Sequence, residues 1–241
     1  LGRINPLRNI QLLRPTSQNC DITMYTWSFS SLKDFVNCPK QYHEVKVLKQ
    51  FTKKVTHQML YGTEVHKALE DYVRDGTPLA KNYERFKPVL DELIDIPGIK
   101  YPEHEMGLYR DKTACGFDDE NRWVRGIVDL LIVDGKYAYI IDYKTGSNKY
   151  PDPKQLKLMA LMTFAHFPEV NHIKAGLLFV MHNSFMDEEY HREDVPKLWK
   201  FFEADLARLD LSYNNEVWQP NPTPLCGWCP VNTCPHYKER R

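Results

Sequence analysis

The stretch Trp123-Val124-Arg125-Gly126-Ile127-Val128-Asp129-Leu130-Leu131-Ile132-Val133-Asp134-Gly135-Lys136-Tyr137-Ala138-Tyr139-Ile140-Ile141-Asp142-Tyr143-Lys144-Thr145-Gly146 decides the fold. It holds two runs rich in β-branched and aromatic residues, separated by Asp-Gly, a strong short-range hairpin signal. Residues 123–133 are predicted as one strand, with Ile127, Leu131 and Val133 on one parity. Residues 137–144 are the strand that returns. Side chains alternate along a strand, so Asp142 and Lys144 share a face, and the hairpin carries Asp129 alongside. Two carboxylates and an ammonium then converge near the end of a buried strand, where Thr145-Gly146 turns. Such oxygen donors suit a hard divalent cation, Mg²⁺ or Mn²⁺. A cation there lowers the pKa of bound water and offsets charge on a phosphate. Lys144 can position that water or counter developing negative charge, and the Tyr143 carbonyl can add one more oxygen. The same Asp-x-Lys pattern also arises as a plain salt bridge on a surface hairpin.

Outward from the hairpin the period changes. Ser28 or Ser30 is predicted to cap a helix through Leu32, Phe35 and Val36, ended by Cys38-Pro39. A second helix is expected after Gly62. Leu60, Val65, Leu69, Tyr72 and Val73 recur at helical steps, and Gly76 is its stop. A third spans about 83–93, and a strand about 105–109. Beyond the hairpin, a helix is expected over 153–167 with Leu156, Met159, Ala160 and Thr163 on one face. A buried strand over 173–181 and an amphipathic helix over 195–211 follow. The tail from Pro220, rich in Pro and Cys, reads as irregular. Residues 1–23 lack periodicity and read as an N-terminal arm, or as sequence upstream of a natural start at Met24. Residues 24–241 read as one domain.

Of the 241 residues, 42% are hydrophobic and 27% charged, a globular composition that excludes a disordered or fibrous chain. Lys+Arg 32 balances Asp+Glu 32, so any surface for nucleic acid must be local. Lys46, Lys49, Lys53 and Lys54, with Phe51 among them, form one basic stretch; Lys144, Lys149, Lys154 and Lys157 form another. Each serves either phosphate contact or ordinary solvation. Trp123, Tyr143, Tyr150 and Trp228 are candidates for stacking on bases. No apolar run approaches the roughly 18 residues that span a bilayer, and no h-region follows Arg3, Arg8 and Arg14. No membrane association is therefore expected, and the location expected is cytoplasmic, in a host's cytoplasm if the chain is viral. Three of the six cysteines cluster as Cys226-x-x-Cys229-x-x-x-x-Cys234. That favours metal or cluster binding over a disulfide framework, but three soft ligands are one short of a Cys₄ site. Cys20 and Cys115 show no partner pattern.

Together these residues resemble a family. Gly126-x-x-Asp129 followed by Asp142-Tyr143-Lys144-Thr145-Gly146 is similar to motifs II and III of the RecB-like PD-(D/E)XK nucleases. Tyr61-Gly62-Thr63-x-x-His66 resembles their G-T-x-x-H motif. Ser28-x-Ser30 with Cys38-Pro39-x-x-Tyr42 resembles their S-x-S … C-P-x-x-Y opening, and Gln155-Leu156 their Q-L-x-x-Y motif, with Met159 in place of the aromatic. The resemblance covers about residues 26–237. It implies an α/β fold: the restriction-endonuclease-like αβββαβ core, with a mixed central sheet, N-terminal helices and a C-terminal cysteine-rich tail.

By the same resemblance His66, Asp129, Asp142 and the Tyr143 carbonyl are the metal ligands and Lys144 the catalytic lysine. Gln155 contacts substrate or that lysine. An acidic residue on the first core strand would be Glu103 or Glu105. Glu105 is preferred, because Met106 and Leu108 share the opposite parity. In the iron–sulphur branch, which includes the AddB nuclease domain and a CRISPR-associated adaptation exonuclease, one N-terminal and three C-terminal cysteines hold a [4Fe–4S] cluster. Cys38, Cys226, Cys229 and Cys234 have that layout. Zn²⁺ at the same thiolates, or at three of them plus His236, is the competing reading. The function implied is a metal-dependent deoxyribonuclease, an exonuclease acting on DNA ends or single strands. A homo-oligomer is compatible with it, and a recombination or helicase partner would be a separate chain. A DNA-end-binding or assembly module on the same scaffold is the alternative; the presence of His66, Asp129, Asp142 and Lys144 together weighs against it.

Overall fold

A computed structural model describes residues 25–149 and 152–238. The predicted arm, Cys20, Met24 and Tyr150 lie outside the described residues. Ser28 opens α1 (Phe29–Asn37) with a reciprocal cap: its hydroxyl accepts from the Ser31 N–H at 3.3 Å, and the Ser31 hydroxyl accepts from the Ser28 N–H at 2.8 Å. Cys38 ends α1. Its Sγ accepts from the Gln41 N–H and starts α2 (Pro39–Tyr42), where Pro39 sits at a position whose N–H has no helical partner.

The second long helix, α3 (His57–Asp75), starts earlier than expected. Thr56 caps it by accepting from Met59 N–H, and the helix runs straight through Gly62. Gly62 is there for closeness rather than for breaking: a Cβ would sit 3.2 Å from the Thr145 hydroxyl, in the turn after Lys144. α4 (Lys87–Asp95) begins later than predicted, because Pro88 favours the first turn and a 3₁₀ turn over Glu84–Phe86 precedes it.

Six strands form one sheet in the order β2-β1-β3-β4-β5-β6: β1 (Ile99–Leu108), β2 (Ala114–Cys115), β3 (Val124–Asp134), β4 (Tyr137–Lys144), β5 (His172–Phe179) and β6 (Ser184–His191). The β3–β4 hairpin turns at Gly135, whose φ of +56° a side chain would resist. β4 and β5 are parallel, joined by α5 (Lys154–His166); every other pair is antiparallel. α5 differs from the one-faced helix expected. Leu156 and every residue from Leu158 to Phe164 are buried, since it lies between the sheet and α6 (Val195–Asn215).

Two cores sandwich the sheet. One, under α5 and α6, joins Met106, Leu108, Val124, Val128 and Ile140 to Met162 and Phe202. The other, under α3 and α4, joins Leu130, Ile132, Ile141 and Tyr143 to Val65, Leu69 and Leu90. This explains a departure in β3. Its burial alternates up to Asp129, with Val124, Gly126 and Val128 inside, then becomes continuous from Leu130 to Val133 because both faces are covered. Ile127 is thus 37% exposed and does not share the buried setting of Leu131 and Val133. The αβββαβ core with N-terminal helices is present, and no described helix is long and apolar enough to cross a membrane.

Candidate active site

The β3–β4 ladder runs from Asp134–Tyr137 to Leu130–Ile141 and stops. The next register positions are Asp129 and Asp142. There Asp129 Oδ2 takes the place of a backbone acceptor and receives the Tyr143 N–H at 2.6 Å. Glu103 continues the row on β1. It faces Asp129, between the Pro102–Leu130 and His104–Val128 pairs, and its φ of +48° falls where the ladder skips one pair. Three carboxylates thus line up across three strands where the sheet opens.

α3 delivers the histidine. Burial of Val65 and Leu69, and the close approach of Gly62, press the helix onto the sheet end. His66 Nδ1 then lies 3.4 Å from Asp129 Oδ2, and its ring meets that of Tyr143 edge-on at 5.9 Å. One ligand atom each of His66, Glu103 and Asp129 falls within 4.8 Å of the other two. Asp142 is 5% exposed. Its Oδ1 accepts from Gln155 Nε2 at 2.7 Å, while Oδ2 ion-pairs with Lys144. Lys144 in turn donates to Gln155 Oε1 at 3.1 Å. Gln155, in the first turn of α5, therefore fixes both members of the pair.

The charges crowd one another. Burial, then the charge of Asp129, pushes the Asp142 carboxyl up to about 6 against the pull of Lys144. Burial, then Asp129 and Glu70, pushes Glu103 up to about 7. Burial disfavours a charged His66, but its hydrogen bond to Asp129 and the neighbouring carboxylates outweigh that and raise it. A divalent cation would relieve this repulsion. Carboxylate oxygens with one imidazole suit Mg²⁺ and, through the nitrogen, Mn²⁺.

Glu105 is displaced as the acidic residue of β1. It is exposed and stands opposite Ile127, two residues along from the row, whereas Glu103 holds the position facing Asp129. Parity could not separate two residues two apart; the register with β3 does.

The sequence model of the PD-(D/E)XK nuclease superfamily matches residues 26–123 and 98–235. The chain belongs to the PD-(D/E)XK nuclease superfamily. Among solved structures, a candidate exonuclease from Eubacterium rectale superposes with a TM-score of 0.50 over 97% of this chain and 94% of that one, at 13% identity. SSO0001 gives 0.45 over 88% and 87%, also at 13% identity. No curated protein matches.

Several surface assignments change in this PD-(D/E)XK chain. Lys53 pairs with Asp34 at 2.6 Å, Lys154 with Asp205 at 2.6 Å and Lys157 with Glu188 at 2.5 Å. Those cations are largely neutralised where they stand. Trp123 and Tyr143 are core residues, 9% and 2% exposed, so neither can stack on a base; Trp228 is 59% exposed. Met159, where the resemblance has an aromatic, is buried under the sheet.

The cysteines of the same PD-(D/E)XK chain converge. Cys38, Cys226, Cys229 and Cys234 line one cavity together with His236. All four are free thiols. N–H donors point at the sulfurs: Gln41 and Asn221 backbone to Cys38 at 3.5 Å each, Thr223 backbone to Cys226 at 3.2 Å, and Gln41 Nε2 to Cys229 at 3.4 Å. Among the described residues no three of these sulfurs lie within 4.8 Å of one another. Cys115 lies apart on β2, beside Gly107.

Proposed function

We propose that the chain is a metal-dependent deoxyribonuclease, an exonuclease on DNA ends or single strands. The observation that carries this reading is the bonded set Asp129–His66 and Asp142–Lys144–Gln155, gathered where β3 and β4 part. His66, Asp129 and Asp142, with the Tyr143 carbonyl, would hold Mg²⁺ or Mn²⁺; Glu103 stands within reach as a further oxygen donor. When bound, the cation would lower the pKa of water and screen the phosphate charge. Lys144 is a positive group held beside Asp142, where it can orient the attacking water and offset charge growing on the phosphate oxygens. Gln155 keeps Lys144 and Asp142 in one geometry. Water adds at phosphorus, one P–O ester bond breaks, and the products are a phosphate monoester and a free hydroxyl.

Labelled linear and circular single-stranded DNA incubated with Mn²⁺, and then with EDTA, test this. Linear strands are expected to shorten, circles to survive, and EDTA to stop the reaction. Cleavage that persists in EDTA would contradict a metal-dependent reaction, and cleaved circles would contradict an exonuclease.

We also propose that the four thiols hold a [4Fe–4S] cluster that ties the α1–α2 corner to the tail. Cys38 and Cys234 are 196 positions apart in the sequence. Linking them removes large loop-closure entropy from the unfolded chain. The N–H donors aimed at sulfur suit a cluster whose charge they share.

A further inference from the structure

Beside the carboxylates lies a second concavity of different chemistry. On the alternating part of β3 the less buried positions are Arg125, Ile127 and Asp129. At about 3.3 Å per residue, Arg125 is about 13 Å from Asp129 along the strand. Around them, Ser28, Phe29 and Ser30 at the start of α1, Phe117, and Gln155 and Met159 of α5 line a cleft of about 320 Å³, open to solvent. Two of its walls are fixed to each other, because the Arg125 N–H donates to the Trp27 carbonyl at 3.0 Å. Gln155 belongs to both places: its amide holds Asp142 and Lys144 on one side and lines the cleft on the other.

Among the described residues no carboxylate lines this cleft. The Arg125 guanidinium lies over the Phe117 ring at 5.0 Å and enters no ion pair with a described residue. That separates it from the lysines neutralised elsewhere. Ile127 adds a large apolar side chain left open to solvent. A cation without a counter-charge, two phenyl rings and an exposed apolar floor call for an anion carrying a flat aromatic body. A nucleotide has that chemistry.

Building on the nuclease reading, we infer that the cleft is a subsite for one nucleotide of the substrate strand, next to the scissile phosphate. Arg125 holds its phosphate, and Phe117 and Ile127 receive its base. Stacking and charge read no base edge, so the subsite accepts any base.

Anisotropy of a fluorescein-labelled single-stranded oligonucleotide, titrated in EDTA over a series of salt concentrations, tests this without cleavage. Arg125→Ala is expected to bind about tenfold more weakly, with a log–log salt slope shallower by about 0.7, one phosphate contact. Phe117→Ala is expected to bind about tenfold more weakly with an unchanged slope. Phe117→Leu, which keeps apolar bulk and loses the ring, is the companion should the alanine variant fail to fold. Lys197→Ala, which removes an exposed cation that does not line the cleft, should bind like the wild type. Wild-type affinity and slope in both the Arg125 and Phe117 variants would overturn the subsite. If the variants lose affinity as stated but the wild type cuts no DNA in Mn²⁺, the subsite stands and the nuclease reading fails.

Discussion

Lys144→Ala is expected to fold like the wild type and to cut DNA about a thousandfold more slowly. Lys144 is a half-exposed side chain at the end of β4, and no core packing depends on its ammonium. What it supplies is charge at one point. It ion-pairs with Asp142 and donates to Gln155, so its position is set before any substrate arrives. Removing it takes away the only cation bonded to this carboxylate among the described residues and leaves burial and Asp129 to push the Asp142 proton affinity still higher. Asp142→Ala should be as severe, through loss of an oxygen donor. Rates on labelled linear single-stranded DNA in Mn²⁺, with circular dichroism as the folding check, decide the matter. Wild-type cleavage by either folded variant would mean that these residues do not carry the reaction.

The second large effect concerns stability. If the thiols hold the proposed cluster, anaerobically purified protein is expected to show a broad visible absorption band, and Cys38→Ser or Cys229→Ser to abolish it and to lower Tm by about 6–12 °C. That corresponds to about 3 kcal/mol lost from a group that binds only the folded chain. The reason is connectivity. Cys38 caps α2 within the α1–α2 corner, whereas the other three thiols sit on a tail whose only regular piece, among the described residues, is a 3₁₀ turn over Pro224–Trp228. Little buried apolar surface holds that tail; Val231 is its one buried hydrophobic residue among those described. Colourless protein containing zinc would contradict the cluster while leaving the staple intact. Colourless, metal-free protein with an unchanged Tm in the serine variants would contradict both. Cys115→Ser should alter neither spectrum nor Tm.

The hairpin was legible in the sequence because its signals are local: β-branched and aromatic residues concentrated in 123–133, Asp-Gly at the turn, and Asp-x-Lys on one parity. Register was not local. Choosing Glu103 over Glu105 required the pairing of β1 with β3, and the change of burial in β3 after Asp129 required knowing that helices cover both faces beyond it. Gly62 read as a helix boundary, because closeness to Thr145 is a tertiary fact that no helix rule contains. β6 escaped notice altogether. Its Asp187, Glu188 and Glu189 are poor strand formers, and an edge strand with one open face tolerates them. α5 misled in the opposite direction, since burial on all sides erases the one-faced pattern expected of it. The thiol site was legible only as three ligands. Cys38 joins them by folding, across nearly the whole chain, and the motif resemblance rather than the spacing brought it in.

The central claim is that one hard cation is gripped where β3, β4 and α3 meet. An anomalous difference map at the manganese edge, from crystals soaked in Mn²⁺, tests it most directly. The expected result is a peak bounded by His66, Asp129 and Asp142, within reach of Glu103. No peak there, at a Mn²⁺ concentration that supports cleavage in solution, would contradict it.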